Sequence, residues 1–440
     1  MSGITLPTAN YSNSISEEFP ITNRKFKVES SISSRYFRDH LPINANISNG
    51  GVSENYIEFV LNSNDQELFD LKSFALELKI SIRQNDGSEL AAGSKLSLID
   101  GAGHRILSKC SLFLNGTPCE SNSYFGLYNA VKSYLQMSKD DLKTLGRNMY
   151  YKDISTKIHD VFTADSFVNQ SQDQNDIQTE CTDGIHTMVP LGMEMSSAGI
   201  FLMNGVDIRL RFDLCPPNLL INTVDETGYK YVIETAKLWT QKIVPNPDAL
   251  FSLNRSLINT NSNIEYVFER PIIKNYVMPT GQNNLSFDNI FNGIIPHKLY
   301  LLFLRQSAVN GSYTRNGAYF SNCNVSSLQL QLNGNNVTSL NATFPKHVAS
   351  MFHHTLINNG NIGQNLLSQK TFKDGRTIFV WDLRPSESSD TIPLERSGNL
   401  RLNIQTATAN NENYIVYVVG VTNGLITVDS NKRVKTSYLM

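Results

Sequence analysis

The sequence predicts an all-β chain made of two tandem jelly-roll β-sandwiches, a double jelly roll with short helices in its loops. Three observations carry this. In the first half, Phe74-Ala-Leu-Glu-Leu-Lys-Ile-Ser-Ile82 and Val206-Asp-Ile-Arg-Leu-Arg-Phe-Asp-Leu214 alternate apolar with polar residues; in the second, Leu328-Gln-Leu-Gln-Leu332 and Leu400-Arg-Leu-Asn-Ile404 do the same. Successive side chains on a strand face opposite ways, so each segment offers one face to a core and one to water. The halves also echo each other. Leu112-Phe-Leu-Asn-Gly116 matches Leu330-Gln-Leu-Asn-Gly334, and each precedes a helical segment and a later strand bearing Arg209 or Arg401. Finally, about eight strands fit into each half, the count of a Greek-key jelly roll.

Residues 1–45 are Ser/Asn/Thr-rich and aperiodic, and predict an extended N-terminal arm. Arg24, Lys25, Lys27, Arg35 and Arg38 are nearly cancelled by Glu17, Glu18, Glu29 and Asp39. A polar tail is the plain reading; an arm that touches nucleic acid or a neighbouring subunit is the other.

The first jelly roll is assigned to residues 46–246. Its strands begin at Tyr56, where Ile57, Phe59 and Leu61 share a face, and continue through 73–83 to the turn Asn85-Asp-Gly87. Ile106–Leu114 is a strand closed by Asn115-Gly116. Leu127, Tyr128, Val131, Tyr134 and Leu135 recur at helical spacing. Ser138-Lys-Asp-Asp141 predicts a capping box opening a second short helix, with Gly146 as its stop. Residues 150–195 read as a long irregular insertion, Gln/Asp/Asn-rich near 169–178. Val206–Leu214 and Tyr229–Val244 complete the domain. Pro245-Asn-Pro247 and the polar stretch Asn254–Asn263 predict a linker over 247–263.

The second jelly roll is assigned to 264–440. It opens with Ile264–Met278, where Pro271 predicts an edge or a bulge. Leu299–Leu304 reads as a buried strand, and Leu328–Leu332 ends at Asn333-Gly334. Val348, Met351, Phe352, Thr355 and Leu356 outline an amphipathic helix, with Pro345 in its first turn and Gly360 as its stop. Thr377–Leu383, Asn399–Thr406, Tyr414–Val419 and Leu425–Val428 supply the last strands.

Composition narrows the function. A net charge of −2 over 440 residues argues against a surface dominated by nucleic-acid binding. Only 18% of residues are charged, which suits protein–protein contact more than electrostatic steering. Cys110, Cys119, Cys181, Cys215 and Cys323 are odd in number and lack C-x-x-C spacing, so folding in a reducing compartment is expected. No signal peptide and no membrane span are expected.

The search for chemistry returns no catalytic, metal or cofactor site. There is no phosphate-binding loop, and Gly101-Ala-Gly103 lacks a dinucleotide context. His347, His353 and His354 do not share a helix face, and solvated or packing roles are expected for them. Asp140 and Asp141 read as helix-start carboxylates. Glu234 and Asp207 would have to face each other across a cleft to act as a glycosidase pair, and neither lies in a recognisable motif. Cys119 reads as a packed thiol, and Trp239 and Trp381 as core residues.

The chain resembles the double jelly-roll major capsid proteins of the Polinton/Maverick–adintovirus group, in the adenovirus hexon-like lineage. The resemblance rests on Ser111-Leu-Phe-Leu-Asn-Gly-Thr-Pro118, Leu202-Met-Asn-Gly-Val-Asp-Ile-Arg-Leu210, Val309-Asn-Gly-Ser-Tyr313 and Phe352-His-His-Thr-Leu356. Thr377-Ile-Phe-Val-Trp-Asp-Leu383, Gly398-Asn-Leu-Arg-Leu402 and Leu425-Ile-Thr-Val-Asp-Ser-Asn-Lys-Arg-Val434 extend it over about residues 55–435. It implies homotrimers whose six jelly rolls form pseudo-hexagonal capsomers, tiling an icosahedral shell around a double-stranded DNA genome. Penton and minor capsid proteins would be partners, the N-terminal arm would contact the genome weakly, and the protein would reside in the virion. Loops near 306–322 and 358–375, with the 150–195 insertion, would interlock subunits or face outward. Two other readings stay open: a carbohydrate-binding or glycan-cleaving tandem sandwich, and a different virion part such as a penton or spike.

Overall fold

The computed structural model describes residues 31–440 apart from 45–54, 65, 91–93, 153–157, 168–179, 182, 225, 227, 261–262, 342, 345, 361–365, 385–395 and 439–440. In the first half, β1 (Ile32–His40), β10 (Tyr229–Pro245), β3 (Leu68–Gln84) and β7 (Ile185–Pro190) form one antiparallel sheet in that order. Facing it, β2 (Tyr56–Leu61), β8 (Ile208–Leu214), β5 (Leu107–Leu114) and β6 (Thr117–Asn122) form another. In the second half, β11 (Ile264–Met278), β18 (Tyr414–Val428), β13 (Lys298–Arg305) and β16 (Phe379–Asp382) make one sheet. Its partner is β12 (Asn284–Ile295), β17 (Arg396–Thr406), β14 (Val325–Leu332) and β15 (Asn335–Asn341). When the eight sandwich strands of each half are counted in chain order, both halves have sheets ordered 1-8-3-6 and 2-7-4-5. Two jelly rolls with the same topology therefore stand in tandem. A small sheet of β4 (Leu96–Leu98) and β9 (Ile221–Thr223) flanks the first, and β19 (Val434–Tyr438) extends β18 in the second.

Alternation puts the predicted faces inside. Leu76 and Leu78 of β3, Ile208 and Leu210 of β8, Leu328 and Leu330 of β14, and Leu400 and Leu402 of β17 are all fully buried. The two Asn-Gly hairpins are built alike. Asn115 and Gly116 have φ of 47° and 78°, and Asn333 and Gly334 have 50° and 82°. Two successive left-handed residues make the turn whose twist suits a two-residue β connection, and Asn-Gly tolerates it best.

Several expectations change. Residues 32–40 of the arm are strand β1, paired along β10 from Ile32–Pro245 to His40–Leu238. Its side chains are mostly exposed, so backbone pairing and not apolar burial holds it, and periodicity gave no sign. Residues 1–30 lie outside the described part. The 150–195 segment contains β7, a strand of the first sheet with Ile185, Thr187 and Val189 facing in. Three inward residues are too few to stand out beside a polar stretch. The 247–263 segment carries a helix, Pro247–Thr260. Leu253 and Leu257 anchor it to the first core, and the intervening Asn and Ser hid that spacing. Tyr414–Val428 is one strand, not two. Gly420 and Gly424 within it are not breaks: an added Cβ would lie 2.5 Å from the Phe291 ring and 2.5 Å from the Phe268 ring. Pro271 lies on an edge strand, and β11 pairs with β18 through it without a bulge. Pro345 lies outside the described residues; the helix it was to open runs Val348–Asn359, and Gly360 caps it at φ 81°.

The helix predicted after β6 runs Phe125–Gln136. Its Gly126 abuts the junction between the short helix Ala102–Arg105 and β5: a Cβ there would lie 2.7 Å from the His104 carbonyl oxygen and 2.8 Å from that of Leu107. Alanine gains about 1 kcal/mol of helix propensity over glycine. Overpacking costs typically about 1–3 kcal/mol, and here the obstacles are backbone atoms with little room to yield. Gly126→Ala is therefore expected to destabilise by about 2 kcal/mol, read as a lower urea midpoint at unchanged slope. A raised midpoint would show that the junction moves aside.

Candidate functional site

The densest constellation of unusual side chains is the seam between the jelly rolls. Leu299, Leu301 and Phe303 of β13 face the second core, while Tyr300, Leu302 and Leu304 face outward. On that outward face lies the helix Phe125–Gln136 of the first jelly roll, through Val131, Tyr134 and Leu135. This is why Leu299–Leu304 is one unbroken apolar run: both sides of the strand are covered.

A buried polar network crosses this contact. Asp100, at 6% exposure, belongs to the first jelly roll, and Arg376, at 3%, to the loop before β16 of the second. Their side chains form an ion pair. The Tyr134 hydroxyl donates to Asp100 Oδ2 at 2.8 Å, and the Lys152 backbone N–H donates to Oδ1 at 2.8 Å. The Arg376 guanidinium also sits 4.6 Å from the centre of the Tyr134 ring. Lys152 Nζ donates to Ser97 Oγ at 2.8 Å and to the Leu98 carbonyl at 2.5 Å.

A second polar site lies where the short turn Glu194–Ala198 packs on β11. Glu120 of β6 is buried, and its Oε1 accepts the Glu194 backbone N–H at 3.0 Å. Burial raises both carboxyls, Glu120 to about 7 and Glu194 well above its ordinary value, with Arg270 opposing. The first jelly roll's loops also clasp the loop 306–322. Tyr313 donates its hydroxyl to the Tyr229 carbonyl at 2.9 Å and accepts the Tyr229 N–H at 3.1 Å. Glu226 accepts from Ser312 Oγ at 2.6 Å and Thr314 Oγ1 at 2.7 Å. The 306–322 loop, expected to interlock subunits or face outward, also joins the two halves of one chain. Of the 358–375 loop, residues 361–365 lie outside the described part.

The residues weighed for chemistry are dispersed. His347 Nδ1 accepts the Thr343 N–H at 3.1 Å, His353 is exposed, and His354 lies edge-on to Trp381, its pKa lowered by burial. Ser138 and Asp141 form the predicted capping box. Glu234 is engaged by Lys79 at 2.7 Å on β3, whereas Asp207 accepts the Ser63 N–H at 2.8 Å beside the opposite sheet. Cys119 is half-buried and pushed up to about 12 by burial. Trp381 is a core residue, while Trp239 is half-buried and donates its indole N–H to Glu77 at 2.7 Å. Gly101-Ala-Gly103 packs against Tyr151 and Met149. Among the described residues, no group of three His, Cys, Asp or Glu is placed to hold a metal, and no helix is long and apolar enough to cross a membrane. Sequence reasoning missed Asp100, Arg376, Glu120 and Glu194 as a set, since nothing in one chain's spacing joins residues 276 positions apart.

No known protein-family model matches the chain, and no curated protein matches it. Solved structures do. A chain of the cryo-EM structure of the Sputnik virophage aligns at TM-score 0.62 and 12% identity, over 99% of this chain and 94% of that one. The Faustovirus major capsid protein aligns at 0.60 and 7%, over 93% and 92%. The mavirus major capsid protein aligns at 0.54 and 12%, over 100% and 97%. These likenesses establish a shared fold across nearly the whole length.

Proposed function

We propose that this chain is a structural major capsid protein, not an enzyme. It forms homotrimeric, pseudo-hexagonal capsomers that tile an icosahedral shell around a double-stranded DNA genome. The observation that carries the reading is the repeated jelly roll with one strand order in both halves. Three copies present six similar sandwiches, which fits threefold symmetry to a hexagonal lattice. We assign the second jelly roll to residues 264–440, joined through 247–263 to a first roll that takes in β1 (Ile32–His40) together with 46–246, and place the chain in the Polinton/Maverick–adintovirus group on its sequence motifs. Penton and minor capsid proteins are its further partners in the virion, and the part of the arm ahead of β1 provides a weak genome contact. Phe251 and Ile258, 66% and 68% exposed two turns apart on the connecting helix, are available for contacts between copies.

Size-exclusion chromatography with light scattering tests this. A stable species of three times 49.3 kDa, or shell-like particles by electron microscopy, is expected. A monomer at all concentrations that binds or cleaves an oligosaccharide would replace the proposal with the carbohydrate reading.

A further inference from the structure

We propose that the cleft between the jelly rolls beside Arg105 binds a small amphiphilic carboxylate, an anionic head on an apolar stem of about eight carbons. The cleft has a volume of about 270 Å³. That is room for on the order of nine water-sized groups at about 30 Å³ each. Both halves wall it: Ile99, Leu127 and Cys215 from the first, Leu304, Val309 and Tyr417 from the second. Most of this lining is apolar.

Ser108, Ser123 and Tyr124 add hydroxyls, and the charged group is Arg105, at the end of the short helix Ala102–Arg105. Its Nε and Nη2 are buried and have no hydrogen-bond partner among the described residues. Its guanidinium lies 5.7 Å from the centre of the Phe320 ring. Arg376, buried at the seam, has its charge answered by Asp100, although its Nε too has no partner among the described residues. Buried polar atoms are nearly always satisfied, and leaving one unmade costs about 1–3 kcal/mol or more for a charged group. A carboxylate matches the planar fork of a guanidinium with two parallel bonds, and an apolar stem matches the walls.

Isothermal calorimetry of the full-length protein, in the oligomeric state in which it is isolated, tests the site with octanoate. One equivalent per chain is expected, accompanied by a raised unfolding temperature, whereas neutral 1-octanol binds at least tenfold more weakly. Arg105→Gln should weaken octanoate tenfold or more and leave octanol unchanged. Ala308→Met, which fills the cleft from the second half, should abolish binding of both and covers the case in which the Arg105 variant does not fold. The proposal fails if octanoate gives no saturable heat up to about 1 mM, if octanol binds as well, or if either variant binds octanoate like the parent.

Discussion

Replacing Asp100 with alanine is expected to destabilise the protein by about 3–5 kcal/mol, the usual result of removing one partner from a buried ion pair. The cause is what remains. Arg376 stays 3% exposed with its positive charge unanswered, and Tyr134 and the Lys152 N–H lose their acceptor. Arg376→Ala should cost a similar amount, because it strands the Asp100 carboxylate instead. The paired change Asp100→Leu with Arg376→Met should cost much less than either, since both desolvated charges leave together and apolar volume replaces them. Urea unfolding of the four proteins makes the comparison. Because the pair joins the halves, the single variants should also broaden or split the transition as the jelly rolls come apart independently. Single and double variants equal in stability would mean that the pair is solvated and the seam is held by apolar packing alone.

The strand faces and both Asn-Gly hairpins were legible in the sequence because they depend on neighbours one or two residues apart. Ile208, Leu210 and Phe212 announce their shared face by themselves. β1 and β7 were not legible: the first is held by backbone bonds to β10 that leave no apolar trace, and the second shows only Ile185, Thr187 and Val189 turned inward. The helix Pro247–Thr260 failed for a related reason, since its two core leucines sit among residues typical of linkers. The seam was the least legible part. Leu302 and Tyr300 read only as part of a buried strand, yet what buries them is a helix from the other sandwich, and Asp100 meets Arg376 only because two independent folds dock. Local pattern specifies each jelly roll; long-range complementarity specifies their union.

That union should also respond to pH through Glu120 and Glu194. Burial, opposed by Arg270, raises both carboxyls, so the folded protein favours their neutral forms. The Glu120 contribution to stability is full below the ordinary carboxyl value of 4.5 and is lost as pH rises through about 7, and Glu194, raised well above its ordinary value, acts in the same direction. His104 works in the opposite direction. Burial lowers it to about 4 from 6.5, so it destabilises the fold as pH falls through that interval. Between pH 4.5 and 6.5 the two trends oppose each other, and above 6.5 the glutamates dominate. The unfolding temperature should therefore decline by several degrees from pH 6.5 to 8, and Glu120→Gln, which cannot ionise but keeps an acceptor for the Glu194 N–H, should flatten that decline. The groups facing the pair are Cys110, Tyr128, Glu269 and Arg270, and burial pushes the Cys110 thiol and the Tyr128 hydroxyl up, away from this range. The difference between parent and Glu120→Gln melting curves thus isolates the pair, and identical pH profiles for the two would place Glu120 in contact with water and remove the seam as a pH-sensitive element.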